Sequence, residues 1–242
     1  MIAPGAWLGV LGGGQLGRMF AMAAHRLGYR VAVLDPDPEC PAAGCADRVI
    51  TASLDDEDAW QQMAECCVAV TIETESVPAD ALKFLAQRVR VTPDARALAT
   101  MQDRALEKRF LSGIGCEVAP FAELQKIEDL ESMDLNALLP GLLKTCRDGY
   151  DGKGQRAIAS REDLECALAA GNVRCVLERK VKLAGELSVI LARSDDGRTA
   201  VYPPALNRHE AGVLDLSVVP APLDSRITDK AIAIAQHIAS AL

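Results

Sequence analysis

The feature that most constrains this chain is a punctuated apolar pattern at its start. Trp7 to Leu11 is a short apolar run, Gly12-Gly13-Gly14-Gln15-Leu16-Gly17 follows it, and Met19, Phe20, Ala23, Ala24 and Leu27 then recur at helical spacing until Gly28. Arg30 to Leu34 supplies a second apolar run that ends in Asp35. Strand, glycine turn, helix and strand make a βαβ unit, and the twist of the strands makes its crossover right-handed. The pattern recurs, with Arg48 to Thr51 and Val68 to Ile72 reading as strands and Asp55 to Glu65 and Pro78 to Gln87 as helices. Alternation of this kind predicts a parallel sheet covered by helices on both faces.

Open α/β sheets bind their ligands at the carboxyl ends of strands, and two stretches fall there. Gly12, Gly14 and Gly17 satisfy the G-x-G-x-x-G spacing, with Asp35 18 residues beyond the last glycine. A dinucleotide-binding oxidoreductase, NAD(P) on the turn and a ribose hydroxyl on Asp35, is therefore open. Thr71-Ile72-Glu73-Thr74-Glu75-Ser76-Val77-Pro78 places two carboxylates at a second strand end. Ligand-facing acids and a solvated loop with Pro78 opening a helix are equally compatible with that spacing.

Near Thr92-Pro93-Asp94 the alternation stops. Helical segments follow at Ala95 to Thr100 and Asp103 to Leu111, closed by Ser112-Gly113-Ile114-Gly115, so a domain boundary is expected around residue 100. Beyond it the residues read as an α+β module. Strands are expected at Leu138 to Thr145, Gln155 to Ile158, Cys175 to Lys180, Glu186 to Arg193 and Thr199 to Tyr202, with a helix from Arg161 to Ala169 capped by Ser160. A Pro-rich irregular stretch then leads to an apolar helix from Ser225 to Leu242, whose abrupt Ala-Ser-Ala-Leu end raises the expectation that the natural chain continues.

Within this module Lys144-Thr-Cys-Arg-Asp-Gly-Tyr-Asp-Gly-Lys-Gly-Gln155 breaks an apolar run with three glycines and a cluster of charge. Glycines let backbone N–H groups turn toward an oxyanion, and Lys144 and Lys153 can neutralise phosphate from either side. The stretch reads as a polyphosphate-holding loop between two strands, with a solvated hairpin as the plain alternative.

Composition narrows the classes. A net charge of −8 excludes a general nucleic-acid or anionic-membrane surface, so an anionic ligand must meet a local basic site. No run approaches the ~18 to 20 apolar residues of a membrane span, so neither nucleic acid nor membrane is an expected partner and a cytoplasmic location is the expectation. Eight cysteines include no C-x-x-C pair and no histidine cluster, so most, Cys66 and Cys67 included, read as buried small apolar residues.

Four stretches taken in order, Gly12 to Met19, Thr71 to Pro78, Gln102-Asp103-Arg104 with Glu107-Lys108, and Gly149 to Gln155, resemble one family along essentially all 242 residues. It is the N5-carboxyaminoimidazole ribonucleotide synthetase family, ATP-grasp ligases of purine biosynthesis. The resemblance implies an α/β fold: an N-terminal parallel-sheet (Rossmann-like, pre-ATP-grasp) substrate-binding domain over 1–100, followed by an incomplete α+β ATP-grasp domain. Of the latter, 101–182 would be the small (lid) subdomain with its helical lead-in, and 183–242 the truncated first part of the large subdomain.

The implied reaction carboxylates 5-aminoimidazole ribonucleotide with bicarbonate, through carboxyphosphate made from ATP, and releases ADP and phosphate. By the resemblance Arg104, Lys144 and the loop Gly149, Tyr150, Asp151, Gly152, Lys153, Gly154 and Gln155 hold the ATP phosphates. Glu178, Arg179, Lys180 and Val181 match the segment that meets adenine through its backbone, Glu186 an acid near the ribose, and His209 a nucleotide-site histidine. Gly14, Gln15, Leu16, Glu73, Ser76 and Tyr150 match the ribonucleotide site. Asp151 is the candidate for orienting the amine or accepting its proton, and Lys153 for steering bicarbonate or carboxyphosphate.

Three departures stand out: Cys146 where a basic residue is usual, Ser76 for a common asparagine, and Leu206 where an acid is usual. Family members continue with a metal-binding acid and an Asn-Glu stretch, so no ligand to the implied Mg²⁺ ions is assigned here, and these 242 residues alone are expected to be catalytically incompetent. The resemblance also implies a homodimer. ATP-grasp ligases with another acceptor, and a nucleotide-binding fragment without turnover, are the neighbouring readings.

Overall fold

In a computed structural model describing residues 2–147, 154–170, 173–210 and 212–242, the opening alternation becomes a five-stranded parallel sheet. Its elements are β1 (Trp7–Leu11), α1 (Gln15–Arg26), β2 (Arg30–Asp35), β3 (Arg48–Thr51), α2 (Glu57–Cys66), β4 (Ala69–Ile72), α3 (Ala79–Ala86), β5 (Arg90–Val91) and α4 (Ala95–Met101). The strand order is β3-β2-β1-β4-β5. Strand alternation sends Ala32 and Leu34 of β2 with Leu11 toward Trp60 and Met63 of α2 and Leu82 and Leu85 of α3. Val31 and Val33 pack with Val10 against Ala21 and Ala24 of α1 on the opposite face. Helices thus cover both faces, as the alternation predicts. Side-chain caps fix two starts: Asp56 accepts the Ala59 N–H at 3.0 Å, and Asp94 the Ala97 N–H at 2.7 Å.

These elements form one compact unit, Met1–Gln102; Asp103–Leu242 form another. The second unit contains α5 (Arg104–Gly113), β6 (Phe121–Leu124), α6 (Leu135–Leu138), β7 (Gly141–Thr145), β8 (Gln155–Ile158), α7 (Arg161–Ala169) and β9 (Cys175–Arg179). Then come β10 (Glu186–Ser188), β11 (Leu191–Arg193), β12 (Thr199–Val201), β13 (Ala205–Glu210), β14 (Val213–Val218) and α8 (Ser225–Ala241). An antiparallel sheet in the order β6-β9-β7-β8 buries Leu124, Leu177, Leu143 and Ile158 against Leu164 and Leu168 of α7. The expected Ser160 cap is a reciprocal box. Its hydroxyl accepts the Asp163 N–H and the Asp163 carboxylate accepts the Ser160 N–H, each at 3.2 Å.

The structure corrects several expectations in this unit. The strand expected from Leu138 begins only at Gly141, because Leu138 closes α6 and Pro140 has no N–H for a ladder. Glu186 to Arg193 divides in two: β10 pairs with β13 and β11 with β12, in separate sheets. The stretch read as irregular after Tyr202 holds β13 and β14, paired antiparallel from Leu206↔Val218 to Glu210↔Val213. No helix of the described residues is long and apolar enough to cross a membrane. All eight cysteines are free thiols. Cys67 lies in the first core, where burial pushes its thiol pKa far up, as an inert apolar filler requires.

Candidate functional site

In the first unit the chain builds outward from β1 to β2 and β3, then returns to lay β4 on the other side of β1. The crevice between β1 and β4 is the topological switch point, where such sheets take ligands. Leu11 and Ile72 are paired at the two strand ends, so the glycine turn and Glu73 leave the sheet side by side. The Glu73 N–H donates to Leu11 O at 2.8 Å. Gly12 has φ +99, and a Cβ there would lie 2.8 Å from Glu73 Oε2. A Cβ on Gly14 would overlap Glu73 Oε1, and one on Gly13 would overlap Cys40 Sγ. The turn is glycine because an acid and a thiol lean on it.

The Gly13 N–H donates to Asp35 Oδ2 at 2.7 Å, and Gly13 O accepts the Ala42 N–H at 2.8 Å. The other Asp35 oxygen accepts the Asp37 N–H at 2.9 Å. Asp35, which the open dinucleotide reading would place on a ribose hydroxyl, braces the turn. Gly14 and Glu73 are brought together, and Gln15 and Leu16 are exposed on the first turn of α1. Ser76 is exposed on the loop after Glu73, where its N–H donates to Thr74 Oγ1 at 3.2 Å. That loop is tied by Gln102, whose amide donates to Glu75 O and Val77 O, both at 2.6 Å.

In the second unit the strand register sorts the remaining residues by face. Phe121 and Leu142 lie opposite Glu178, and Lys144 lies opposite both Val176 and Gln155, so Phe121, Glu178, Leu142, Lys144 and Gln155 share one face of the sheet. Ala105 of α5 packs on this face with Phe121 and Val176. Lys144 Nζ donates to Glu178 Oε2 at 3.0 Å, and Lys108 Nζ of α5 lies 3.3 Å from the same oxygen. The side chains of Lys108, Lys144 and Glu178 are only 13%, 20% and 10% exposed. Two ammonium groups on one carboxylate leave a net positive charge that water screens poorly, and such a cluster attracts an anion.

The helix carrying Lys108 is fixed by Asp103, which is 1% exposed. Its carboxylate accepts the N–H groups of Ala105 and Leu106 at 3.0 and 3.1 Å and grips the Arg174 guanidinium bidentately at 2.7 and 3.0 Å. Burial pushes the Asp103 pKa up, but the Leu106 N–H and Arg174 outweigh it and hold the carboxyl below its ordinary range. Arg104, the next residue, donates from Nε to Thr145 O at 3.3 Å and from its backbone to Cys146 O at 2.9 Å. Cys146 is buried with Ala105, Val176 and Phe121, so this departure from the family pattern is a packing residue.

Arg179 turns to the opposite face, where its guanidinium donates to Ala137 O at 3.4 Å. The N–H groups of Arg179 and Lys180 already donate to Pro120 O and Pro140 O, each at 2.9 Å. Val181, the next residue, is exposed. On β10 and β13, Glu186 lies opposite Asn207, and His209 Nδ1 is 3.3 Å from Glu186 Oε2. Leu206 is opposite Leu187, on the reverse face from Asn207. Gly154, with φ +71, closes the β7–β8 hairpin by accepting the Thr145 N–H at 2.9 Å. Gly149, Tyr150, Asp151, Gly152 and Lys153 lie outside the described residues.

Two functional candidates escaped the assignment of roles from sequence. Lys108 and Asp103 stand in a quoted stretch, and the four-residue spacing of Arg104 and Lys108, one helical turn, was the available signal. Among the described residues no group of three or more His, Cys, Asp or Glu side chains is placed to hold a metal ion.

The comparisons define the class. Residues 6–102 match the ribonucleotide synthetase preATP-grasp domain and residues 109–242 the ATP-grasp domain, which makes this an ATP-grasp protein preceded by its pre-ATP-grasp domain. The chain is 39% identical over 243 residues to the N5-carboxyaminoimidazole ribonucleotide synthase of Bacillus subtilis (strain 168), covering 100% of this chain and 64% of that relative. It is 41% identical over 245 residues to the enzyme of the same name from Brucella melitensis, covering 100% and 67%. The crystal structure of N5-carboxyaminoimidazole synthase from Aspergillus clavatus, in complex with ADP and 5-aminoimidazole ribonucleotide, superposes with a TM-score of 0.88 at 30% identity, over 98% of this chain and 63% of that one. The chain belongs to the N5-carboxyaminoimidazole ribonucleotide synthase family and spans about two thirds of the length of these relatives.

Proposed function

We propose that this chain supplies the ribonucleotide-binding and nucleotide-binding parts of an ATP-dependent carboxylation of 5-aminoimidazole ribonucleotide. ATP phosphorylates bicarbonate to carboxyphosphate. The exocyclic amine then attacks the carboxyl carbon, the C–N bond forms as the C–O bond to phosphate breaks, and the amine proton passes to a base. The products are N5-carboxyaminoimidazole ribonucleotide, ADP and phosphate.

The observation that carries this reading is the mostly buried Lys108–Glu178–Lys144 cluster, with its surplus positive charge beside Gln155. Lys144 and Arg104, with the segment from Gly149 to Gln155, hold the phosphates; Val181 and its neighbours meet the base, and Glu186 and His209 the ribose side. The β1–β4 crevice, with Gly14, Gln15, Leu16, Glu73 and Ser76, takes the ribonucleotide. Asp151 serves as base or orienting acid and Lys153 steers bicarbonate, both by family resemblance. Mg²⁺ belongs to the chemistry of the family, and none of the residues named here is assigned to it. A homodimer in the cytoplasm completes the proposal.

Calorimetric titration tests it. The chain should bind ADP saturably, Lys144→Met should weaken that binding by at least about tenfold, and 5-aminoimidazole ribonucleotide should bind independently. Binding of NADH in preference to ADP would overturn the reading in favour of the oxidoreductase. In an enzyme of the relatives' full length carrying this chain, Asp151→Asn should cut aminoimidazole- and bicarbonate-dependent ADP release by orders of magnitude while leaving ADP affinity largely intact.

A further inference from the structure

Glu178 is gripped twice, by cations from two different elements. Lys144 reaches its carboxylate from the neighbouring strand β7, and Lys108 reaches the same oxygen from α5. Lys108 also lies 5.5 Å from the Phe121 ring centroid, so its stem and charge are both accommodated where it stands. A 10% exposed carboxylate with a single cationic partner resists giving it up, because the charge left behind would be buried and unpaired. With a second ammonium already 3.3 Å away, the cost of release falls.

We propose that Lys108 is a positioning residue for nucleotide binding: it stays on Glu178 and so allows Lys144 to transfer from that carboxylate to the incoming phosphate. This rests on the assignment of the cluster to the nucleotide and deepens it. Lys108 does not touch the phosphate; it decides whether Lys144 is available to do so. The arrangement also explains why an acid stands among cations that must attract an anion. Glu178 keeps the two ammonium groups from repelling each other apart in the empty site and yields one of them on binding.

The test is a double-mutant cycle on ADP affinity, read by calorimetry on the whole chain, with Lys108→Met, Glu178→Gln, the pair, and Lys108→Arg. Lys108→Met preserves the apolar stem over Phe121 and should weaken ADP binding about tenfold by locking Lys144 to Glu178. In the Glu178→Gln background, where no carboxylate holds Lys144, the same change should cost less than about threefold. Lys108→Arg keeps the charge and should bind ADP close to wild type. Thermal melts of each variant separate folding from binding.

If the wild type binds ADP and Lys108→Met binds it equally well, the transfer role is overturned while the nucleotide assignment stands. If the Lys108→Met penalty is undiminished in the Glu178→Gln background, Lys108 acts on the helix or on the ligand itself and the proposal is again overturned. A wild type that binds no ADP overturns the nucleotide assignment, and this proposal with it.

Discussion

The glycine turn of the first unit and the Lys108–Glu178–Lys144 cluster of the second are built by opposite means. The turn is a backbone device. Its three successive glycines are positioned by N–H and carbonyl groups, and its side-chain partners, Glu73, Asp35 and Cys40, close on the main chain. The cluster is a side-chain device, in which charges from α5, β7 and β9 meet across a sheet face whose register sets their spacing. A backbone site tolerates almost no added atom, whereas a side-chain site tolerates added volume better than lost charge.

Breaking the support of the charged site should have the largest effect. Asp103→Ala removes the cap of α5 and leaves the 40% exposed Arg174 without its bidentate partner, so about 2 to 4 kcal/mol of stability should be lost, read as a lower urea midpoint by circular dichroism. Gly13→Ala should cost about 1 to 3 kcal/mol by overpacking against Cys40. Both tryptophans, Trp7 and Trp60, lie in the first unit, so their fluorescence follows that loss. Adding Cys40→Ala should return part of it; strict additivity of the two changes would show that the turn is not closed by that contact.

Acid sharpens the comparison further. Asp103 is held below its ordinary pKa of 3.8, so the stability it contributes is fully present above that value and is lost as the pH falls beneath it, the unfolded chain taking up the proton first. The first unit has its own such carboxylate. Asp47 is lowered chiefly by the Val31 N–H and then by His25. Urea midpoints from pH 6 to about 2.5 should therefore fall steeply at the acid end in the wild type and less steeply in Asp103→Asn. Smallest is Ser160→Ala, which opens the capping box of α7 and should cost about 1 kcal/mol, visible as a small drop in melting temperature.

Legibility in the sequence follows the same division. The elements from β1 to α3 announce themselves because each is bounded by a glycine turn, cap or proline and buries a face, which writes a period into the residues. β14 carries a period-2 alternation, Leu214, Leu216 and Val218 against Asp215 and Ser217, and Pro203, Pro204, Pro220 and Pro222 on either side of the β13–β14 hairpin are what make the stretch read as irregular. Glu186 to Arg193 reads as one apolar run, and pairing with different partners, β13 and β12, is what divides it. Lys144 and Glu178 were legible as candidates, but Lys108, 70 residues before Glu178, was not assigned a role.

The alternating first unit, the glycine turn with an acid near it, the paired strands β7 and β8 and the capped α7 can be read from the residues alone, because glycine, proline, caps and periodicity act within a few residues. Tertiary structure alone decided that Asp35 braces the turn, that Cys146 is packing, and that two lysines converge on one carboxylate. Those outcomes depend on which strands pair and in what register, and charges far apart along a chain carry no local mark of the burial that makes them matter.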